Sequence, residues 1–193
     1  MTHATDGHAA GARKALRQRL ISERERFVAG DGAAQAGAAL SRSLNGLLHE
    51  LEPDCLGVYW PYRSEFNAVA GLAADAALAN LPLALPFARR MPAAMHYRVW
   101  DGLPPALRDD CGIATSDGAM VIPDVVLVPC VGFTRDGYRL GYGGGYFDRW
   151  LALHSGVTAI GVAWAASEIA AGAFEPQPHD RPLTIIVTEH GVV

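Results

Sequence analysis

The stretch DVVLVPCVGFTRDGYRLGYGGGYFDRWL, Asp124–Leu151, decides the fold. Residues 124–133 form a continuous β-branched and apolar run, as a central strand buried on both faces requires. Four glycines then fall within five positions, at Gly141 and at Gly143, Gly144 and Gly145. From Gly145 to His154 the pattern predicts a helix of about three turns. A strand, a glycine-rich turn and a helix in that order make the first half of a parallel α/β unit.

The same alternation extends outward in both directions. CLGVYW (55–60), LPLALP (81–86), VTAIGVAW (157–164) and LTIIVT (183–188) read as buried strands, and MHYRVW (95–100) alternates as an edge or antiparallel strand does. Residues 66–80 are Ala-rich and predict a helix, whereas the Pro, Gly and Asp of 101–123 predict mostly loop. Upstream, Ala12–Val28 predicts a helix with six basic residues (Arg13, Lys14, Arg17, Arg19, Arg24, Arg26) against Glu23 and Glu25. A second helix is predicted for Ala33–Leu51, with Leu40, Leu44, Leu47, Leu48 and Leu51 on its apolar stripe and Pro53 stopping it. Residues 1–11 read as a disordered lead-in and 12–193 as one domain. The expected architecture is a three-layer α/β/α sandwich around a mostly parallel sheet. Ligands in such sheets sit at the carboxyl ends of strands, where both YWPYRSEF (59–66) and the glycine stretch lie.

Composition narrows the function. Half of the 193 residues are hydrophobic and the net charge is −4, which supports a real core and gives no global case for wrapping nucleic acid. Any anion site must come from local Arg and Lys. Cys55, Cys111 and Cys130 are odd in number and widely spaced, so reduced, buried thiols are expected rather than disulfides or a zinc site. The N-terminus has no signal-peptide core and no later run is long enough to span a bilayer, so a cytoplasmic location is expected.

On residue types alone the glycine loop has two readings. It is either a set of tight turns, or a cradle of backbone N–H groups for a phosphate at a helix start, with Arg139 and Arg149 on either side. It is neither standard nucleotide motif: no GK[ST] closes it, and the spacing GxGxxG would need glycine where Tyr146 stands.

VPCVGFTRDGYRLGYGGGYFDRWL closely resembles the signature of the 5-formyltetrahydrofolate cyclo-ligase (5,10-methenyltetrahydrofolate synthetase) family. The resemblance extends through ARKALRQRL, YWPYRSEFN, ALPFARR with MHYRVW, and FEPQPHDRPLTIIVTEHGV, covering nearly all of residues 13–193. It implies a fold similar to those of sugar-phosphate isomerases and CoA transferases. The implied activity is a ligase of folate metabolism that uses ATP and Mg²⁺ to convert 5-formyltetrahydrofolate to 5,10-methenyltetrahydrofolate, ADP and phosphate. By the same resemblance, Arg13, Lys14, Arg17 and the run Arg139, Leu140, Gly141, Tyr142, Gly143, Gly144, Gly145, Tyr146 and Phe147 bind ATP. Arg17, Trp60, Glu65 and Tyr142 to Tyr146 border the folate, with Glu65 accepting from the pterin's N–H groups. Asp148 and Asp180 hold the metal, and Trp100 faces the same pocket. The expected partners are small molecules, with no nucleic acid or membrane, acting on a monomer.

Four departures stand out against the family pattern. Arg13 replaces a lysine, Phe147 replaces a tyrosine, Asn67 stands where an acidic residue is common, and GIATSDG (112–118) lacks the usual proline. Two other readings remain open: a non-catalytic nucleotide- or folate-binding regulatory module, and a sugar-phosphate isomerase-like enzyme with Glu65 as its acid–base group.

Overall fold

A computed structural model of the chain describes residues 3–193. In chain order the elements are α1 (His3–Val28), α2 (Ala33–Leu51), β1 (Leu56–Gly57), α3 (Ala68–Ala73), β2 (Leu83–Arg89), β3 (Ala94–Trp100), β4 (Leu107–Arg108), β5 (Ala114–Thr115) and β6 (Met120–Val121). These are followed by β7 (Val125–Pro129), β8 (Gly132–Phe133), β9 (Arg139–Leu140), α4 (Tyr146–Leu153), β10 (Thr158–Val162), a 3₁₀ turn (Ala165–Ser167), β11 (Ile185–Thr188) and β12 (Gly191–Val192).

An eight-stranded sheet runs β12-β11-β10-β7-β1-β2-β3-β6. Its central strands β11, β10, β7, β1 and β2 are mutually parallel, while β12, β3 and β6 close the two sides antiparallel. The mostly parallel α/β sheet expected from the sequence is therefore the observed one. Among the parallel strands the spatial order is second, first, third, fourth, fifth, so the direction of growth reverses between β1 and β7. The helices reverse with it. One face of the sheet packs Leu56, Leu127 and Ile160 against Leu40, Leu44 and Leu48 of α2 and Leu72 of α3. The other packs Val126, Val128 and Ile186 against Trp150 and Leu151 of α4. Each fully buried leucine in these layers contributes about 1.5–3 kcal/mol relative to exposure. A third cluster docks α1 over the carboxyl ends of the strands, through Leu20 and Ile21 on Val131, Leu140 and Ile169.

Several expectations are corrected. Helix α1 begins at His3, so residues 3–11 are helical rather than an irregular lead-in, and residues 1–2 lie outside the described residues. Extending an existing helix through an Ala-rich segment fixes one residue per hydrogen bond, which is far easier than nucleating one. Of the run 55–60 only Leu56–Gly57 form the strand, although the Val58 amide still donates to the Ala84 carbonyl at 2.8 Å, and 66–80 keeps a helix only over Ala68–Ala73, N-capped by Asn67 Oδ1 accepting from the Ala70 amide at 3.2 Å. The loop 101–123 carries β4, β5 and β6. Of the three free cysteines only Cys130 is buried; Cys55 and Cys111 are partly exposed.

Tyr97 offers a test of packing against polarity. Its side chain is fully buried with its ring edge-on to Trp150 at 4.9 Å, yet its hydroxyl has no hydrogen-bond partner among the described residues. Tyr97→Phe keeps the ring contact and removes an unsatisfied polar atom. We expect it to range from neutral to about 1 kcal/mol more stable, read from the urea midpoint. A clear loss of stability would show that the hydroxyl has a partner, such as a buried water.

Candidate active site

The point where strand order reverses leaves a crevice between the carboxyl ends of β1 and β7. A cavity of about 680 Å³ opens there. The β1 exit supplies Trp60 and Glu65, the β7 exit supplies Arg139 and the loop Gly141–Asp148, α1 lays Arg13 and Arg17 across the top, and the 177–180 turn closes it with Asp180. Residues far apart in sequence thus share one wall. Lys14 and Leu140 do not join them: Lys14 is exposed on α1, and the Leu140 side chain is fully buried under α1. Trp100 is also core, donating its indole N–H to the Leu103 carbonyl at 2.8 Å and supporting Trp60 edge-on at 6.0 Å. A broader groove of about 940 Å³ between α2 and α3 touches only Glu65 of the candidate site residues.

The glycine loop is shaped by backbone requirements. Gly143 and Gly145 adopt φ of +95° and +62°, a region that costs L side chains strain. Gly145 is also the N-cap of α4, whose first amides have no partner within the helix. Arginines hold the loop from outside. Arg17 Nε donates to the Gly141 carbonyl at 2.6 Å and Arg149 Nη2 to the Gly144 carbonyl at 2.8 Å. Burial, with the neighbouring charge of Arg13, pulls the Arg17 guanidinium below its usual range.

Two ion pairs occupy the far side. Arg139 Nη2 meets Asp148 Oδ2 at 3.0 Å with both side chains largely buried, and Arg13 grips Asp180 through both Nη atoms at 2.9 and 3.1 Å. Asp148 Oδ1 also accepts from the Arg181 amide at 3.3 Å, which ties α4 to the turn carrying Asp180. Burial works against ionisation of Asp180, but the Arg13 hydrogen bonds, the Gln177 amide and the Arg13 charge together hold its carboxyl below the ordinary range. The departures from the family pattern have local uses here. A lysine at position 13 lacks the fork that grips Asp180. The Phe147 ring lies 5.3 Å under the Arg139 guanidinium and packs on the α4 face of the core, neither of which needs a hydroxyl.

Among the described residues no three His, Cys, Asp or Glu side chains converge. Asp148 and Asp180 nonetheless offer hard oxygen donors on one wall, which fits a Mg²⁺ that takes one or two carboxylates and completes its shell with water and phosphate.

Glu65 sits at the opposite end, in a turn closed on itself. The Tyr62 amide donates to Glu65 Oε2 at 2.7 Å, the Glu65 amide to the Tyr62 carbonyl at 3.2 Å, and Arg63 between them takes a left-handed φ of +55°. The turn is pinned by Tyr59, whose hydroxyl donates to the Phe66 carbonyl at 2.8 Å, and by Trp164, whose indole N–H donates to the Ser64 carbonyl at 3.2 Å. Burial pushes the Glu65 carboxyl up to about 7, against the Tyr62 amide, the Arg24 charge and the nearby Tyr142 hydroxyl.

Two residues that line the cavity, Asp109 and Cys111, and one behind it, Arg24, escaped the sequence reading. Asp109 is buried and accepts the amides of Ala88, Cys111 and Ile113, and so builds the wall that presents Cys111 to Tyr146. An Asp two residues before Cys-Gly, its side chain accepting the amide two residues on, is an Asx-turn signal that finds it. Arg24 is 2 % exposed and hydrogen-bonds Tyr142. Its signal is spacing: positions 13, 17 and 24, with the buried Leu20 and Ile21, fall on one helical face.

Comparison with known proteins places the chain. The model of the 5-formyltetrahydrofolate cyclo-ligase family matches residues 9–189. A 5-formyltetrahydrofolate cyclo-ligase of Mycoplasma pneumoniae is 40% identical over 67 residues, 34% of this chain and 39% of that protein. One from Mycolicibacterium smegmatis is 37% identical over 71 residues, 36% of each chain. These alignments thus span well under half of each relative. Two solved structures share the fold over most of their length. A 5,10-methenyltetrahydrofolate synthetase from Mycoplasma pneumoniae gives a TM-score of 0.70 at 20% identity, covering 92% of this chain and 98% of that one. The Aquifex aeolicus 5,10-methenyltetrahydrofolate synthetase gives 0.73 at 23%, covering 93% and 91%.

Proposed function

The chain belongs to the 5-formyltetrahydrofolate cyclo-ligase family, and from that premise we propose that it catalyses the ATP- and Mg²⁺-dependent closure of 5-formyltetrahydrofolate to 5,10-methenyltetrahydrofolate. One observation carries the reading: a glycine loop flanked by arginines, a pair of aspartates, and a carboxylate beside a tryptophan all line one cavity. The first suits a triphosphate, the second a hard cation, and the third a flat heterocycle with donor groups on its edge.

The residues divide the work. Arg13, Arg17, Arg139 and the amides of Gly141–Phe147 hold the phosphates, with Arg13 and Arg139 turning from their aspartates to the incoming oxygens. Asp148 and Asp180 would hold Mg²⁺, which when bound would supply charge neutralisation to the phosphate oxygens. Trp60 packs on the heterocycle and Glu65 accepts from its N–H groups. Tyr142 to Tyr146 border the formyl group. The formyl oxygen takes the γ-phosphoryl group, releasing ADP; N10 then attacks the activated carbon and phosphate leaves. Alignment and charge dispersal are the protein's main contributions to such a transfer.

Purified protein given 5-formyltetrahydrofolate, ATP and Mg²⁺ is expected to accumulate the methenyl product, followed by its ultraviolet absorbance, and to release ADP stoichiometrically. Tight binding of both ligands with no product would favour the regulatory binding module instead. The paired aspartates speak for the enzyme, because binding alone needs no metal carboxylates.

A further inference from the structure

We propose that Arg24 and Tyr142 form a tether that sets the shape of the glycine loop, which makes both of them positioning residues for the phosphates the loop takes. That these are the phosphates of a nucleotide rests on the reading above; the tether itself rests on hydrogen bonds of the structure.

A cradle made of glycines has little of its own to hold it in place. Of residues 141–145 only Tyr142 carries a side chain, so it is the one point of the run that another element can grip by a side chain. Arg24 Nη2 donates to its hydroxyl, and Tyr62 holds its ring edge-on at 5.5 Å. Arg24 is itself fixed. It is buried, its Nε donates to Ser64 Oγ at 3.0 Å, and its Nη1 donates to the Cys130 carbonyl at 3.2 Å. The planar fork sets these three directions together, which the point charge of a lysine does not.

The tether is one of two that α1 supplies. Arg17 and Arg24 are seven residues apart, two turns or about 10 Å along the helix axis, and share a face. Leu20 and Ile21 between them dock that face on Val131, Leu140 and Ile169. Arg17 Nε then holds the Gly141 carbonyl at 2.6 Å and Arg24 the hydroxyl of the next residue, so the loop is caught at consecutive positions from a rigid support. Gly143 follows directly with its φ of +95°, and Gly145 caps α4. A loop already held in its binding shape loses less freedom when the ligand arrives. Packing alone does not explain a cation at position 24. An apolar side chain fills a buried position with less desolvation, as Leu20 and Ile21 do on the same face. Tyr142 lines the cavity and Arg24 lies behind it, so Arg24 acts on a ligand through Tyr142.

The test has two readouts: hydrogen exchange of the 141–147 amides by mass spectrometry with no ligand added, and ATP affinity by calorimetric titration with Mg²⁺ present. Tyr142→Phe keeps the ring and removes the hydroxyl. In it, loop exchange is expected to quicken about tenfold and ATP affinity to fall about tenfold. Arg24→Met should do the same, and the double variant should be no worse than Arg24→Met alone, because both changes break one link. Ser64→Ala removes a partner of Arg24 outside the loop and should change ATP affinity less than about twofold. Exchange without ligand separates a tether from a direct contact, since a hydroxyl that only touched the ligand leaves that exchange unaltered. Unchanged loop exchange in Tyr142→Phe overturns the proposal. So do additive losses in the double variant, or a loss in Ser64→Ala equal to that in Tyr142→Phe. If Arg24→Met does not fold, Arg24→Lys, which keeps the charge without the fork, takes its place in the cycle. Faster loop exchange in Tyr142→Phe, where the wild-type protein binds no ATP, upholds the tether and overturns the nucleotide reading instead.

Discussion

Replacing Asp148 with asparagine is expected to lower kcat at least about a hundredfold while the protein stays folded. The asparagine amide oxygen can still accept from Arg139 Nη2, which meets Asp148 Oδ2 at 3.0 Å, at the expense of the longer contact of the Arg181 amide with Oδ1 at 3.3 Å. What it loses is the negative charge that a divalent cation requires. The choice of asparagine matters because Arg139 is buried. Removing its partner outright leaves an uncompensated guanidinium, a loss of about 3–5 kcal/mol that would confuse a chemical effect with unfolding. Turnover measured against Mg²⁺ concentration, beside a thermal melt, separates the two. A variant with near-normal turnover and the same Mg²⁺ dependence would remove Asp148 from the proposed metal site.

Gly143→Val is expected to weaken nucleotide binding by about tenfold or more, since the β-branched side chain is strained by about 1–3 kcal/mol at the φ of +95° found there. Its Cβ would also stand 3.4 Å from the Arg17 guanidinium that secures the Gly141 carbonyl. The loop must then change shape, and with it the amides proposed to face the phosphates. The fold should survive, because Gly143 belongs to none of the core clusters. Gly46→Ala is the matching control: its Cβ meets nothing within 4 Å in the exposed middle of α2, so it should leave nucleotide affinity unchanged and stabilise the helix slightly. Calorimetric titration with ATP on both variants decides. Unchanged affinity in Gly143→Val would return the glycines to a role in turns alone.

Much of the fold was legible where one local rule acted alone. The leucine stripe and Pro53 predicted α2 at its observed bounds, Ala33–Leu51. The turn glycine and the apolar run after it placed α4 to within its caps. The prediction failed where pairing partners decide. The apolar run 124–133 divides at Cys130, because Val125–Pro129 pair along β10 whereas Gly132–Phe133 pair with Arg139–Leu140 to form the base of the glycine loop. Trp100 has the composition of a pocket residue, but the alternation of β3 turns it into the core.

The candidate site divides in the same way. Residue types and their order were enough to select Arg139 and the glycines of 141–145 as an anion cradle beside a strand end, whereas Asp148 and Glu65 were selected by the family likeness. Residue types were also enough, with the likeness along nearly the whole chain, to indicate the family. The tertiary structure decided which of these groups share a cavity, and that outcome depends on sheet order. Only the reversal between β1 and β7 brings the Glu65 turn opposite the glycine loop. It also decided the burial of Arg24. A basic residue among six on a helix looks like a solvated face, until Leu20 and Ile21 dock that face on Val131 and Leu140 and carry the guanidinium out of water. Burial is a property of what packs against a residue, and no stretch of α1 contains it.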